Sequence, residues 1–278
     1  MSSDLSNTLR GIWQAGRPNT GLYAFLVSYY SFWFYDQTDS VAVVTSITFA
    51  LITMSIMRYN DLIDGPNDQR KGKCFATKHK QPLQIAILCE SLAVIAGLFL
   101  LSAQSTESAS LALFCGVVWI LGLAYSHIPH WYITQNVVVA VCSGSPALCA
   151  AVYHGAIGKN DFHTFLMFSS LIWLSEVHKD IEDVHTDGGY KDTLAIRKGA
   201  IGAMLILVPS LQILSATFFW HPNALLQLVA LTLIPLMTYQ QGLHLLGRIS
   251  VEKPMQTMNH VIMACGAALF APLIWSNL

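Results

Sequence analysis

The chain has 278 residues, of which 54% are hydrophobic and only 11% charged, and its formal net charge is −1. A soluble domain carries roughly 25% charged residues, so this balance excludes an ordinary soluble protein, and no basic excess points to a nucleic-acid partner. Apolar runs of bilayer length predict an all-α, multi-pass membrane protein, because lipid demands that each span satisfy its own backbone hydrogen bonds.

In chain order, residues 1–17 are polar and lack the apolar core of a signal peptide. Nine apolar spans follow, near 18–36, 40–59, 83–103, 109–126, 133–154, 163–178, 199–220, 223–247 and 256–276. The first is rich in aromatics, Tyr29, Tyr30, Phe32, Trp33, Phe34 and Tyr35, which reads as an interfacial belt. The fifth contains Ser143-Gly144-Ser145-Pro146, a signal for a kink or close helix packing. Five of the six cysteines lie inside apolar spans and none forms a CxxC pair, so they read as small buried hydrophobes. With the N-terminus placed inside, every Lys and Arg except Lys159 falls on the cytoplasmic side, Arg58 included. This asymmetry orients the chain and puts the C-terminus on the opposite side.

Two acidic stretches stand out in this apolar background. Asp61, Asp64 and Asp68 follow the second span at spacings of three and four, which on a helix fall within about a 60° arc. The same spacing returns after the sixth span at Asp180, Asp183 and Asp187. Both stretches lie on the cytoplasmic side, four helices apart, which predicts an internal four-helix pseudo-repeat with a site at its interface. Carboxylates are hard ligands that suit Mg²⁺, with Mn²⁺ as a substitute. Mg²⁺ commonly shares its shell between carboxylates and substrate phosphates, and Arg70, Lys71, Lys73, Lys179, Lys191 and Arg197 stand in the same loops. The ligand that fits is an anion dense in oxygens with an apolar tail, an isoprenoid diphosphate. Glu90 is the clearest acidic residue at mid-span, too little for an ion path through the bundle.

The stretch Asn60-Asp61-x-x-Asp64-x-x-x-Asp68 resembles the first signature of the UbiA-like intramembrane prenyltransferase superfamily. Lys179-Asp180-Ile181-Glu182-Asp183-x-x-x-Asp187, followed by Thr193-Leu194-Ala195-Ile196-Arg197-Lys198-Gly199, is similar to the second. Tyr125-Ser126 before Pro129 and Arg17-Pro18 at the first span also look like family elements. The resemblance runs the length of the chain and implies one domain over 1–278, a bundle around a central cavity, and metal-dependent ionisation of a prenyl diphosphate. It implies Asp61, Asp64, Asp68, Asp180, Asp183 and Asp187 as metal ligands. Of these, Asp61, Asp64, Asp180 and Asp183 are the catalytic core. Asn60, Arg17, Arg70, Lys73, Tyr125 and Lys191 would contact substrate, and Asn136 would face the cavity. The chain departs from the pattern at Lys78-His79-Lys80-Gln81-Pro82-Leu83, where the family has an arginine before the proline. It also has Pro129 where a lysine is usual.

The expected function is transfer of a prenyl chain, within the bilayer, to a lipophilic acceptor, an aromatic one above all. A terpene cyclase of the same superfamily would capture the cation with the substrate's own double bonds. A non-enzymatic metal or lipid transporter is a more distant alternative.

Overall fold

A computed structural model describes residues 2–68, 75–128, 131–132, 134–182, 184, 192–193, 195–199 and 224–248, with isolated positions at 202, 210, 213–214, 217 and 264. Apart from one two-residue strand pair, the described secondary structure is helical. The chain divides into two compact units, Met1–Ile128 with Pro146–Ile157, and Pro129–Ser145 with Gly158–Leu278.

The first unit is built on α3. Its N-terminal helix α1 (Ser2–Ala15) had no signal in hydropathy, because its apolar residues are interleaved with polar ones. Arg17, in the left-handed region at φ 46°, turns the chain into α2 (Pro18–Trp33). Pro18 at the first helical position costs no hydrogen bond there. After a turn through Asp36, Asp39 Oδ1 accepts from the Val41 and Ala42 N–H groups and caps α3 (Ser40–Asp68). This helix continues nine residues beyond the expected end of its span. Hydropathy marks where lipid stops and not where a helix stops, so the first acidic stretch is itself helical. Thr45, Ser46 and Ser55 are fully buried on α3, each donating its hydroxyl to a carbonyl one turn back. Such back-bonding lets small polar residues pack without orphaned groups.

Next come α4 (Phe75–Lys78), α5 (Lys80–Ser102) and α6 (Thr106–Tyr125), the last capped by Ser105. Gly97 of α5 sits against Thr48 and Gly122 of α6 against Ile56, so both helices approach α3 with no room for a side chain. Trp119 Nε1 donates to Ser55 Oγ at 3.1 Å across the α6–α3 seam. On α5, Ile85, Leu88, Leu92, Ile95 and Phe99 make an exposed apolar stripe. Water would not tolerate that surface, and hydrocarbon does. The unit ends with α8 (Cys149–Tyr153). Its Tyr153 meets Phe32 edge-on, with ring centroids 6.1 Å apart, while His154 lies over Tyr35. Of the six aromatics of the first span, Tyr30 and Phe32 are core and Tyr29, Trp33 and Tyr35 are half-buried. Phe32 is fully buried and Tyr30 nearly so, and only Phe34 is exposed as a belt residue would be.

The second unit contains α7 (Thr134–Gly144), α9 (Lys159–Glu182) and α10 (Ala224–Leu245). A two-residue strand β1 (Trp131–Tyr132) pairs in parallel with β2 (Asp192–Thr193). Gly144 lies against Ser169 and the Phe165 carbonyl, which brings α7 and α9 close. The helix then breaks into a 3-10 turn, Ser145–Leu148. The Ser-Gly-Ser-Pro run thus produces both of its expected effects, and the boundary between units falls there.

Ser40–Pro66, Lys80–Ser102, Thr106–Tyr125 and Thr134–Tyr153 are long and apolar enough to cross a bilayer, as befits an integral membrane protein. Six of the nine expected spans correspond to α2, α3, α5, α6, α7 to α8, and α9, and the eighth corresponds to α10. The span at 199–220 is described only at scattered positions and that at 256–276 only at residue 264.

Candidate active site

In the first unit, the acidic stretch is presented by the last turns of α3. Asp61 is partly exposed, and Arg17 Nη2 lies 3.4 Å from its Oδ1. Asn60 is buried and donates through Nδ2 to Asp64 Oδ2 at 3.0 Å, one turn along the same helix. The Asn60 amide is itself set by Ser126, whose Oγ donates to Asn60 Oδ1 at 3.3 Å. Ser126 follows Tyr125 at the end of α6, so the Tyr-Ser element comes to the acidic helix through its serine. Tyr59 Oη and His127 Nε2 pair at 2.7 Å beside it. A recess of about 300 Å³ opens here, lined by Gly11, Gln14, Ala15, Arg17, Asp61, Phe75 and Ala76.

Arg17 owes its position to a buried clasp. Arg58, one turn before Asp61, pairs with Glu90 of α5 and donates through Nε to the Ile12 carbonyl of α1 at 3.0 Å. Gly16 rests directly on the guanidinium. α1, α3 and α5 are thus joined where α1 hands over to Arg17. The sequence reading placed Arg58 among the loop cations, but it is only 4% exposed inside α3. A charge in that setting needs a partner, and the mid-span acid Glu90 supplies it. Both residues were visible as charges inside apolar runs, the signal that flags intramembrane pairs.

In the second unit, Asn136 of α7 is buried and donates through Nδ2 to Asp180 Oδ2 of α9 at 2.9 Å. The amide therefore orients a carboxylate, as Asn60 does in the first unit. Lys179 pairs with Glu176 on the same helix at 3.8 Å. Asp183, Asp187, Lys191, Arg70 and Lys73 lie outside the described residues, as does the side chain of Asp68.

The donors in hand fit a hard divalent cation. Asp61 and Asp64 offer carboxylate oxygens one turn apart, and Asp180 offers another in its own unit. One or two protein carboxylates completed by water and phosphate is the usual habit of Mg²⁺. No group of three or more His, Cys, Asp or Glu is close enough to hold a metal unaided among the described residues.

Residues 21–263 match the model of the UbiA prenyltransferase family. The fold resembles the apo structure of a UbiA homolog from Aeropyrum pernix K1, with TM-score 0.68 and 16% identity over 91% of this chain and 98% of that one. It also resembles a structure described as giving insights into digeranylgeranylglyceryl phosphate synthase in membranes, with TM-score 0.68 and 15% identity over 95% and 98%. No curated protein matches the chain. With an acidic helix end, a paired arginine and a family match over most of its length, the chain belongs to the UbiA prenyltransferase family.

Proposed function

We propose that residues 1–278 form one Mg²⁺-dependent prenyltransferase domain that ionises an isoprenoid diphosphate and transfers the chain to an aromatic or other lipophilic acceptor. Mn²⁺ would substitute for Mg²⁺. The observation that carries this reading is the pair of amide-held carboxylates, Asn60 on Asp64 and Asn136 on Asp180. Solvated loop acids do not recruit buried asparagines.

Asp61, Asp64, Asp68, Asp180, Asp183 and Asp187 would hold the metal, which when bound neutralises the diphosphate and improves it as a leaving group. Asn60 and Asn136 fix the carboxylate orientation beforehand, so little reorganisation is needed on binding. Arg17 bridges to Asp61 and can swing its remaining donors to the outer phosphate oxygens, with Arg70, Lys73, Lys191 and Tyr125 as further contacts. The apolar helices hold the isoprenoid chain and exclude water from the cation formed when the carbon–oxygen bond breaks. The acceptor's electron pair then forms the new bond to that carbon, and the acceptor releases a proton to restore its neutral form. The N-terminus and the acidic stretches face the cytoplasm in this reading, with the C-terminus opposite.

The test is mass spectrometry of products from prenyl diphosphates of several lengths, with and without aromatic acceptors. Prenylated acceptor and free diphosphate are expected, lost in excess chelator and restored by Mg²⁺. A cyclised hydrocarbon formed without acceptor would convert the assignment to a cyclase. Absence of diphosphate release from every substrate would leave a transport role.

A further inference from the structure

α1 carries a surface that the chemistry above does not use. One face packs on the first unit: Thr8 Oγ1 lies 3.5 Å from His79 Nδ1, the Ile12 carbonyl accepts from Arg58, and Ala15 is buried with Ala76 and Leu83. At about 100° per residue, Leu9 and Trp13 project together from one flank, and each is 58% exposed. Arg10 and Gln14 are exposed further round the helix. The helix thus has a packed side, an apolar side and a polar side.

Two neighbours set the depth of that apolar side. α1 runs through Gly16 and Arg17 straight into α2, where Leu22 is already 57% exposed as a lipid-facing residue would be. Beside α1, Lys78 at the end of α4 and Lys80 at the start of α5 are exposed, and further along α5 Ile85 and Leu88 are exposed. Cations followed within two turns by bare aliphatics mark the passage from headgroups to hydrocarbon. α1 meets His79, the residue between α4 and α5, on the cationic side of that passage.

We propose that α1 is an interfacial helix lying on an anionic bilayer surface. Leu9 and Trp13 enter the boundary between headgroups and acyl chains, and Arg10, Lys78 and Lys80 meet lipid phosphates. An amphipathic helix binds such a surface through buried apolar area plus attraction to anionic lipid.

The test uses the full chain in nanodiscs and compares it with Trp13→Phe, which keeps an apolar ring at an exposed site. The fluorescence difference between the two proteins isolates Trp13. It should be quenched at least twofold by lipids brominated near the headgroup and be protected from aqueous acrylamide. Quenching by acrylamide alone would put α1 in water, and quenching by neither would mean that protein covers it; both overturn the proposal. In a second arm, lipids retained by the protein are weighed after purification from equal mixtures of phosphatidylglycerol and phosphatidylcholine. Enrichment of the anionic lipid should fall at least threefold in the combined R10Q, K78Q and K80Q variant. Unchanged enrichment would overturn the charge match on which the proposal depends.

Discussion

At the residue scale, buried charges and amides decide how the acidic helix end is presented. Arg58 and Glu90 are almost wholly withdrawn from solvent, with side chains 5% and 13% exposed. Removing one member strands the other in a low-dielectric setting, at a cost of about 3–5 kcal/mol. Glu90→Met should therefore lower the melting temperature sharply in detergent, and Arg58→Met should do the same. Replacing both residues by Met should be milder than either single change. A double variant as unstable as the sum of the singles would contradict the pairing. The Asn60–Asp64 pairing was within reach of the sequence because the two stand four residues apart on one helix, whereas Asn136 reaches Asp180 from another helix and carried no such signal. The Arg58–Glu90 pair was not within reach, since two charges 32 positions apart carry no sign that they meet.

At the element scale, α3 governs the first unit because other helices dock on its small residues and hydroxyls. Gly122 faces Ile56 with no space for a side chain. Gly122→Leu should force α6 away from α3 and cost about 1–3 kcal/mol, the usual range for overpacking. Because Ser126 at the end of α6 holds Asn60, the same change should reduce turnover as well as stability. Thermal unfolding and activity measured together would check this, and a variant with full stability would show that the seam is slack. Most element positions were legible from hydropathy, since seven expected spans fall on helices. The extension of α3 to Asp68 was not, because polar helical turns leave no hydropathy signal. α1 was missed for the same reason. The aromatics of α2 misled because composition alone cannot tell a ring in the core from a ring at the interface, and Phe32 is in the core.

At the scale of the whole molecule, the bare apolar stripe of α5 and the family match make the chain an integral membrane member of the UbiA prenyltransferase family. The topology proposed for it places the C-terminus away from the cytoplasm. A reporter fused after Leu278 should read non-cytoplasmic, and a cytoplasmic reading would break the odd span count. Arg58 no longer contributes to that argument, since it is paired inside the bundle. The remaining loop cations still favour one side.

The central claim is that the two acidic stretches act as a unit on one diphosphate. Diphosphate release by D61N, D180N and the double variant tests it most directly. Each replacement removes one charge and one ligand while keeping shape. Each single variant should lose at least tenfold in rate, about 1.4 kcal/mol of transition-state stabilisation. The double variant should be little slower than the slower single one, because groups that act together are strongly non-additive. Near-normal turnover in D180N would leave the first stretch to act alone and contradict the account.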